Sequence, residues 1–451
     1  MHLKRYFGDR TFQRTALALT LPILLQNLLS TSFALVDTLM ISSLGPVELT
    51  AVGLCASWIQ LLNVLLFGIT SGAGVLVAQF WGAGNLAQVR RSYGCGLALS
   101  LGVAALFLLL TAGSPRAVMH LYSPDPQVIA AGGRYLRLIA LSFPASALQQ
   151  TANATLRSTE QVRTPMYGTV VSVALNIFLN YVLIFGHLGA PRLGLAGAAI
   201  ASCAANWAGV AVTYLLSIRR GTVLRSAPRD IFRFDRAFLG RYFSVALPVM
   251  VNELLWGLGT AVLNMIYGHM GTLEYAALTV CNTLENVITT IFMSFANSAN
   301  VLVGKEIGRG RLDRAYGNAL AITCWTPVLA ALLGVALILF RAPVVGIFRQ
   351  EAVVTALAQR LLLFLGCIQP FKFLQYVHIC GILRAGADGK VAALIDFIGS
   401  WCVCVPLAAL GLGLGLPFFP VYVAVTTLDS LVKTTLVLIR FRSRKWMIRI
   451  S

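Results

Sequence analysis

The chain repeats itself. Moved along by 226 positions, residues 18–93 fall without a gap on residues 244–319. Pro22 lands on Pro248, Leu28 on Leu254, Gly45 on Gly271, Glu48 on Glu274 and Cys55 on Cys281. Val75-Leu76-Val77 lands on Val301-Leu302-Val303, and Gly82-x-Gly84 on Gly308-x-Gly310. The offset holds at Arg134/Arg360 and Pro144/Pro370, then becomes 227 at Leu156-Arg157 against Leu383-Arg384. Two copies of one unit must fold into two similar bodies related by a pseudo-two-fold axis.

Composition decides the solvent. Hydrophobic residues make up 58% of the chain, charged residues 11%, and mean hydropathy is +0.79. A soluble domain carries roughly 25% charged residues. Apolar runs such as Leu97–Leu110, Val328–Phe340 and Leu431–Ile439, with their flanks, recur along the sequence. A helix needs about 20 apolar residues to cross a bilayer, and a soluble core cannot absorb so many stretches of that length. The pattern predicts an all-α integral membrane protein with twelve spans. They fall at roughly 15–41, 50–79, 93–112, 128–152, 165–186, 195–217, 242–268, 276–304, 317–340, 353–383, 390–412 and 417–439. Six per half is an even number, so both halves share an orientation and the axis runs along the membrane normal. The expected units are residues 1–216, a linker 217–241, and residues 242–451 with a basic tail. Duplication in an apolar chain is the usual build of a secondary transporter, with its site between the halves.

Charge placement agrees with this layout. The net charge is +19, from 35 Lys+Arg against 16 Asp+Glu. With the N-terminus inside, 26 basic residues fall on inner segments and 4 (Arg116, Arg192, Arg341 and Arg349) on outer loops. That bias follows the positive-inside rule and places both termini and the linker in the cytoplasm of a cell or inner membrane. The basic excess therefore reads as topology and attraction to anionic lipid, with no nucleic-acid partner. The polar N-terminal segment MHLKRYFGDRTFQR has no cleavable signal pattern, so the first apolar stretch is expected to begin span one. The nine cysteines are scattered; Cys402-x-Cys404 faces two ways on a helix and reads as two free thiols. The five histidines show no ligand spacing, and no phosphate-binding G-x-x-x-x-G-K-[ST] loop exists. No nucleophile–base pair or metal cluster is visible, so an enzyme is not expected, nor a bound cofactor beyond a coupling H⁺ or Na⁺.

Polar groups inside the spans are costly and are functional candidates. Asp37 lies in span one, eight residues from Gly45 and so roughly 12 Å deep. Glu253 in span seven lies twelve residues from Arg241, roughly 18 Å in. The repeat makes them asymmetric, since Asp37 maps to Leu263 and Glu253 to Asn27. Asn176 and Asn180 in span five are i, i+4 and share a face; they either bond across helices or line a cavity beside Asp37. Span eight carries a polar stripe of Thr279, Asn282, Asn286, Thr289, Asn297 and Asn300, with Glu285 at its edge. Span two carries Ser57, Gln60, Asn63 and Ser71, and the repeat pairs Gln60 with Asn286 and Asn63 with Thr289. Two matching polar faces suggest either a shared wet cavity or polar helix contacts.

Several segments together resemble the multidrug and toxic compound extrusion (MATE) family, in its NorM-like branch, over nearly the whole chain. They are LPILLQNLLSTSFALVDTLMISSLG in span one, LNIFLNYVLIFG in span five, WGAGN with its partner GRGRLDRA, ALPVMVNELL in span seven, and ATLRS with GILRAGAD after spans four and ten. Such proteins export cationic amphipathic compounds in exchange for H⁺ or Na⁺. The resemblance implies that Asp37, Asn176 and Asn180 form a coupling site that holds a proton or a sodium ion, and that Glu253 serves the second half. The chain departs from NorM-like members in span ten, where QPFKFLQYVH has Lys372 and no acid. It departs again after span four, where RSTEQVRTP replaces R-G-x-G-D-T.

A mechanism follows from the low dielectric. An organic cation entering the membrane needs a counter-charge, and a carboxylate discharged by H⁺ or occupied by Na⁺ cannot supply it. Drug and ion then compete, and alternating access turns the ion gradient into export by a protein expected to act as a monomer. Pro22 and Pro248 are the expected hinges. Lys372 lies twelve residues from Arg384, the same count that separates Glu253 from Arg241, so an ion pair between Lys372 and Glu253 is expected. Two other classes compete with the antiporter. A flippase for lipid-linked oligosaccharides or cell-wall precursors would need a strongly cationic cavity. A membrane scaffold would leave the intramembrane acids without a role.

Overall fold

The computed structural model describes residues 10–226, 230, 234–348 and 351–450. Lys4, Arg5, Arg229, Arg233 and Arg349, all counted in the charge argument, lie outside them. Every regular element among the described residues is a helix, with no strand. Eleven helices are long and apolar enough to cross a membrane. In lipid this is the economical solution, because every backbone group is satisfied within its own helix.

The twelfth span, the fourth in order, is broken. Pro126–Ile139 is followed by one tight turn at Ala140–Ser142 and then by Phe143–Ser158. Pro144 sits at the start of the second piece, where its missing N–H costs nothing. Ser142 Oγ donates to the Ile139 carbonyl at 2.7 Å and so satisfies the break. The repeat partner Pro370 instead lies inside the continuous helix Ala352–Val377. That span changes pitch later, in a π-helical stretch at His378–Leu383. A second π-helical stretch, Ile398–Cys404, interrupts span eleven between Gly389–Phe397 and Val405–Gly413.

The repeat shows in the turns. Gly45 and Gly271 take φ of +141° and +155° just before spans two and eight, a region favouring glycine. A β-carbon on either would meet the carboxylate of Glu48 or Glu274, folded back from the first turn of the following helix. Carboxylates are favoured there by the helix dipole.

The chain divides into two compact units, residues 21–77 with 85–246, and residues 1–20 with 78–84 and 247–451. The division passes through continuous helices, beside Pro22 in Arg10–Ser42 and Pro248 in Arg236–Met270, and not through 217–241. The first unit packs Ile41, Cys55, Met119, Leu136 and Ile184 in its core. Its helices Arg163–Phe185 and Leu195–Arg219 approach closely because Gly168 faces Gly209 and Thr213, the small-residue packing that replaces hydrophobic drive in lipid. The second unit has two cores, one around Phe292, Phe373 and Trp446 and one around Tyr267, Leu361 and Tyr422. Within it Gly82 and Gly308 each rest on the other's helix, against the backbones of Lys305 and Gln79. Leu109, Leu332, Leu339 and Leu410 remain outward, as a lipid-facing surface demands.

Candidate functional site

In the first unit the expected residues meet. Asn180 Nδ2 donates to Asp37 Oδ1 at 2.7 Å and to Asn176 Oδ1 at 3.1 Å. Asn176 Nδ2 donates onward to Ser202 Oγ at 3.0 Å. Both asparagines are fully buried, and Asp37 is half-buried. The i, i+4 spacing in Arg163–Phe185 puts both amides on one face, from which Asn180 reaches Asp37 of span one and Asn176 reaches Ser202 of span six. Asn180 Oδ1 accepts no hydrogen bond among the described residues. One carboxylate therefore stands at the end of a polar chain, with an unfilled acceptor beside it. Ser202, in span six, was absent from the sequence expectation; a hydroxyl among alanines gives little signal.

A second group in the same unit surrounds Arg157. Its Nη2 donates to Gln26 Oε1 at 2.7 Å and to Asn27 Oδ1 at 3.4 Å. Gln26 Nε2 in turn donates to Thr169 Oγ1 at 3.1 Å. The repeat partners of Asn27 and Arg157 are Glu253 and Arg384, and these also meet, with Arg384 Nη2 at 2.6 Å from Glu253 Oε1. The same contact exists in both units, charged in one and amide-based in the other.

This overturns the expected partner of Glu253. Its partner is Arg384, whereas Lys372 Nζ lies 2.5 Å from Glu285 Oε1. The depth count failed because it took Arg384 as the cytoplasmic end of span ten. The Arg384 side chain is 2% exposed, with its guanidinium on Glu253 and not in solvent. Arg157 and Arg384 are therefore buried polar partners and not inner-loop charges.

The polar stripes are less enclosed. Gln60 and Asn286 are exposed, and Asn63 and Asn282 are half-buried. Asn63 Oδ1 accepts from Gln150 Nε2 at 3.1 Å, an inter-helix contact of the kind that needs no ligand.

Sequence reasoning missed one cluster. Lys433 Nζ lies 3.0 Å from Asp396 Oδ1 and 2.9 Å from Asp429 Oδ1, with Ser400 Oγ at 3.2 Å. The spacing of Lys433 from Asp429, i and i+4 in a helix, is the available signal. Among the described residues no group of His, Cys, Asp and Glu is arranged to hold a metal ion.

Comparison with known proteins agrees with the fold. The MatE family profile matches twice, at residues 22–182 and 248–410, two blocks displaced by the internal repeat. A protein described as an uncharacterized transporter, YisQ of Bacillus subtilis (strain 168), is 26% identical over 449 residues, covering 98% of this chain and 96% of its own. A probable multidrug resistance protein NorM of Rhizobium meliloti (strain 1021) is 28% identical over 418 residues, covering 90% and 88%. Among solved structures, the Vibrio cholerae MATE transporter VcmN in its bent form superposes with a TM-score of 0.86 at 18% identity, covering 97% of this chain and 99% of that one. An outward-facing multidrug resistance MATE transporter of the MOP superfamily gives 0.84 at 19% identity, covering 98% of each. The chain belongs to the MatE family and is a multi-pass membrane transporter, not an enzyme.

Proposed function

We propose that this protein is an antiporter that exports cationic amphipathic compounds from the cell in exchange for H⁺ or Na⁺, by alternating access. The observation that carries this reading is the buried chain Asp37–Asn180–Asn176–Ser202. A carboxylate in that setting has two ways to lose its charge cost. It can bind the coupling ion, or it can face an organic cation. Asn180 donates to the ionised carboxylate, and its free carbonyl oxygen can accept from a protonated one or ligate Na⁺. The two occupants exclude each other, so a gradient of one drives the other. Pro22 removes the helical hydrogen bond to Ala18 in the same helix, and we assign it the bend that follows Asp37 discharge. The names of NorM relatives as multidrug resistance proteins support drug export.

The flippase reading is disfavoured by pairing. Lys372, Arg384 and Lys433 each have a carboxylate within 3.0 Å. A pyrophosphate-binding cavity would keep such cations available for the substrate.

Efflux of ethidium from everted membrane vesicles, with Na⁺ and pH gradients imposed separately, tests the proposal. Accumulation should follow one of the two gradients and vanish when it is collapsed. Accumulation that follows neither would refute cation coupling.

A further inference from the structure

We propose that Asp396, Asp429 and Lys433 form a proton-binding site in the second unit, separate from the Asp37 site. This deepens the antiport reading and rests on it only for the site's role in transport.

The argument begins with charge. Besides the pairs Asp388–Arg440 and Glu306–Arg309 at span ends, each one to one, the second unit holds three charged clusters among the described residues of its spans. Glu253 with Arg384, and Glu285 with Lys372, balance one to one. The third does not, since Lys433 serves two carboxylates. All three of its side chains are largely buried, at 7% exposure for the lysine, 14% for Asp396 and 19% for Asp429. An uncompensated negative charge inside a bilayer is expensive, and a single added proton removes it.

The surroundings are shaped for this cluster. Lys433 reaches the acids across Gly399, where a β-carbon would collide with its Cε and Cγ and with Asp429 Oδ1. Gly399 and Ser400 lie in the π-helical stretch Ile398–Cys404; such stretches are rare and concentrate at functional sites. Gln375, from span ten, is buried and donates to Asp429 Oδ2 at 3.5 Å. Its Oε1 accepts no hydrogen bond among the described residues. A protonated Asp429 would offer a donor to that atom, which an ionised one cannot. Other titratable groups within electrostatic reach are Cys404 and Tyr267 near Asp429, and Tyr376 and Cys380 near Asp396. The Glu253–Arg384 pair acts on Tyr376 and Cys380 as well.

The occupant is a proton and not a metal ion. A sodium ion would have to sit beside the Lys433 ammonium, which fills the space between the carboxylates at 2.9 and 3.0 Å. A proton adds to one carboxylate oxygen, breaks no other bond, and leaves the ammonium on the other acid.

Proton uptake by the purified full-length protein in detergent provides the test. An unbuffered sample is acidified from about pH 8 to about pH 5 and the protons taken up are counted. The background is Asp37→Asn, so that the first site is silent. Asp37→Asn should take up one proton per molecule more than Asp37→Asn/Asp429→Asn, because the second variant retains a balanced Asp396–Lys433 pair. Asp37→Asn/Asp396→Asn should lose the same proton, and it replaces the Asp429 variant if that one fails to fold. Adding Lys433→Met to either double variant should restore uptake, since the remaining acid then has no ammonium. Equal uptake with and without the acid substitutions, in monodisperse protein, would overturn the proposal. So would sodium chloride, but not choline chloride, suppressing the uptake. Loss of ethidium transport in the wild type alone would refute the antiport reading and leave this proton count unchanged.

Discussion

Removing Arg384 should cost far more than removing Glu253. The guanidinium is 2% exposed, Glu253 is 14% exposed, and the contact is 2.6 Å. At an effective dielectric near 20 the gross attraction is about 6 kcal/mol. Desolvation offsets much of it, yet deleting one partner of a buried pair still costs about 3–5 kcal/mol, because the other charge is left without it. Arg384→Met leaves the Glu253 carboxylate facing an apolar side chain, so about 3 kcal/mol or more is expected. Glu253→Gln is milder. It recreates the arrangement of the first unit, where Arg157 Nη2 donates to the amide oxygens of Gln26 and Asn27, and should cost about 1–2 kcal/mol. The double variant Glu253→Gln/Arg384→Met should be more stable than Arg384→Met alone, since no carboxylate remains at that position. Unfolding of the purified protein in mixed micelles by titrated dodecyl sulfate gives all three numbers. A coupling energy of about 2 kcal/mol is predicted. Additivity within about 0.5 kcal/mol would show that the pair contributes nothing and refute the reasoning.

Asp37→Asn should abolish gradient-driven ethidium accumulation in everted vesicles while expression and gel-filtration profile stay unchanged; Asn176→Ala and Asn180→Ala should reduce it less. Retained wild-type accumulation in Asp37→Asn would remove the coupling role. Lys372→Met leaves Glu285 without its 2.5 Å ammonium partner and should tighten tetraphenylphosphonium binding by about tenfold, roughly 1.4 kcal/mol; unchanged affinity in a fluorescence titration would place Glu285 outside the substrate path. Reporter fusions should find both termini and residues 217–241 inside and the loop at Gly189–Arg192 outside; an external linker would overturn the charge-based topology.

The repeat made much of the fold legible, because it fixes equivalences that packing must respect. Gly45 and Gly271 behave alike, as do Gly82 and Gly308. It could not show how each copy would absorb its proline. Pro144 begins a helix while Pro370 sits within one, since the outcome depends on local partners such as Ser142. The Asp37 cluster was legible because an acid and an i, i+4 amide pair stand out in apolar helices. The partner of Glu253 was not: the repeat aligns Glu253 with Asn27 and Arg384 with Arg157, which makes the two contacts equivalent without showing that either exists. The depth count obscured this, because residue spacing locates a Cα and not the end of a long side chain. The Lys433 cluster was hidden for a related reason. Asp396 and Asp429 belong to different spans, and only helix rotation, which sequence does not supply, turns both toward one lysine.

The central claim is obligatory exchange of an organic cation for a coupling ion at Asp37, and the reversed reaction tests it most directly. Purified protein is reconstituted into liposomes containing pyranine, with tetraphenylphosphonium trapped inside and no initial ion gradient. In sodium-free medium, or with a trapped sodium indicator in sodium medium, cation outflow should drive H⁺ or Na⁺ inward against a growing gradient. Asp37→Asn liposomes should show neither flux. Outflow of tetraphenylphosphonium with no counter-movement of either ion, or equal counter-movement in Asp37→Asn, would contradict the account.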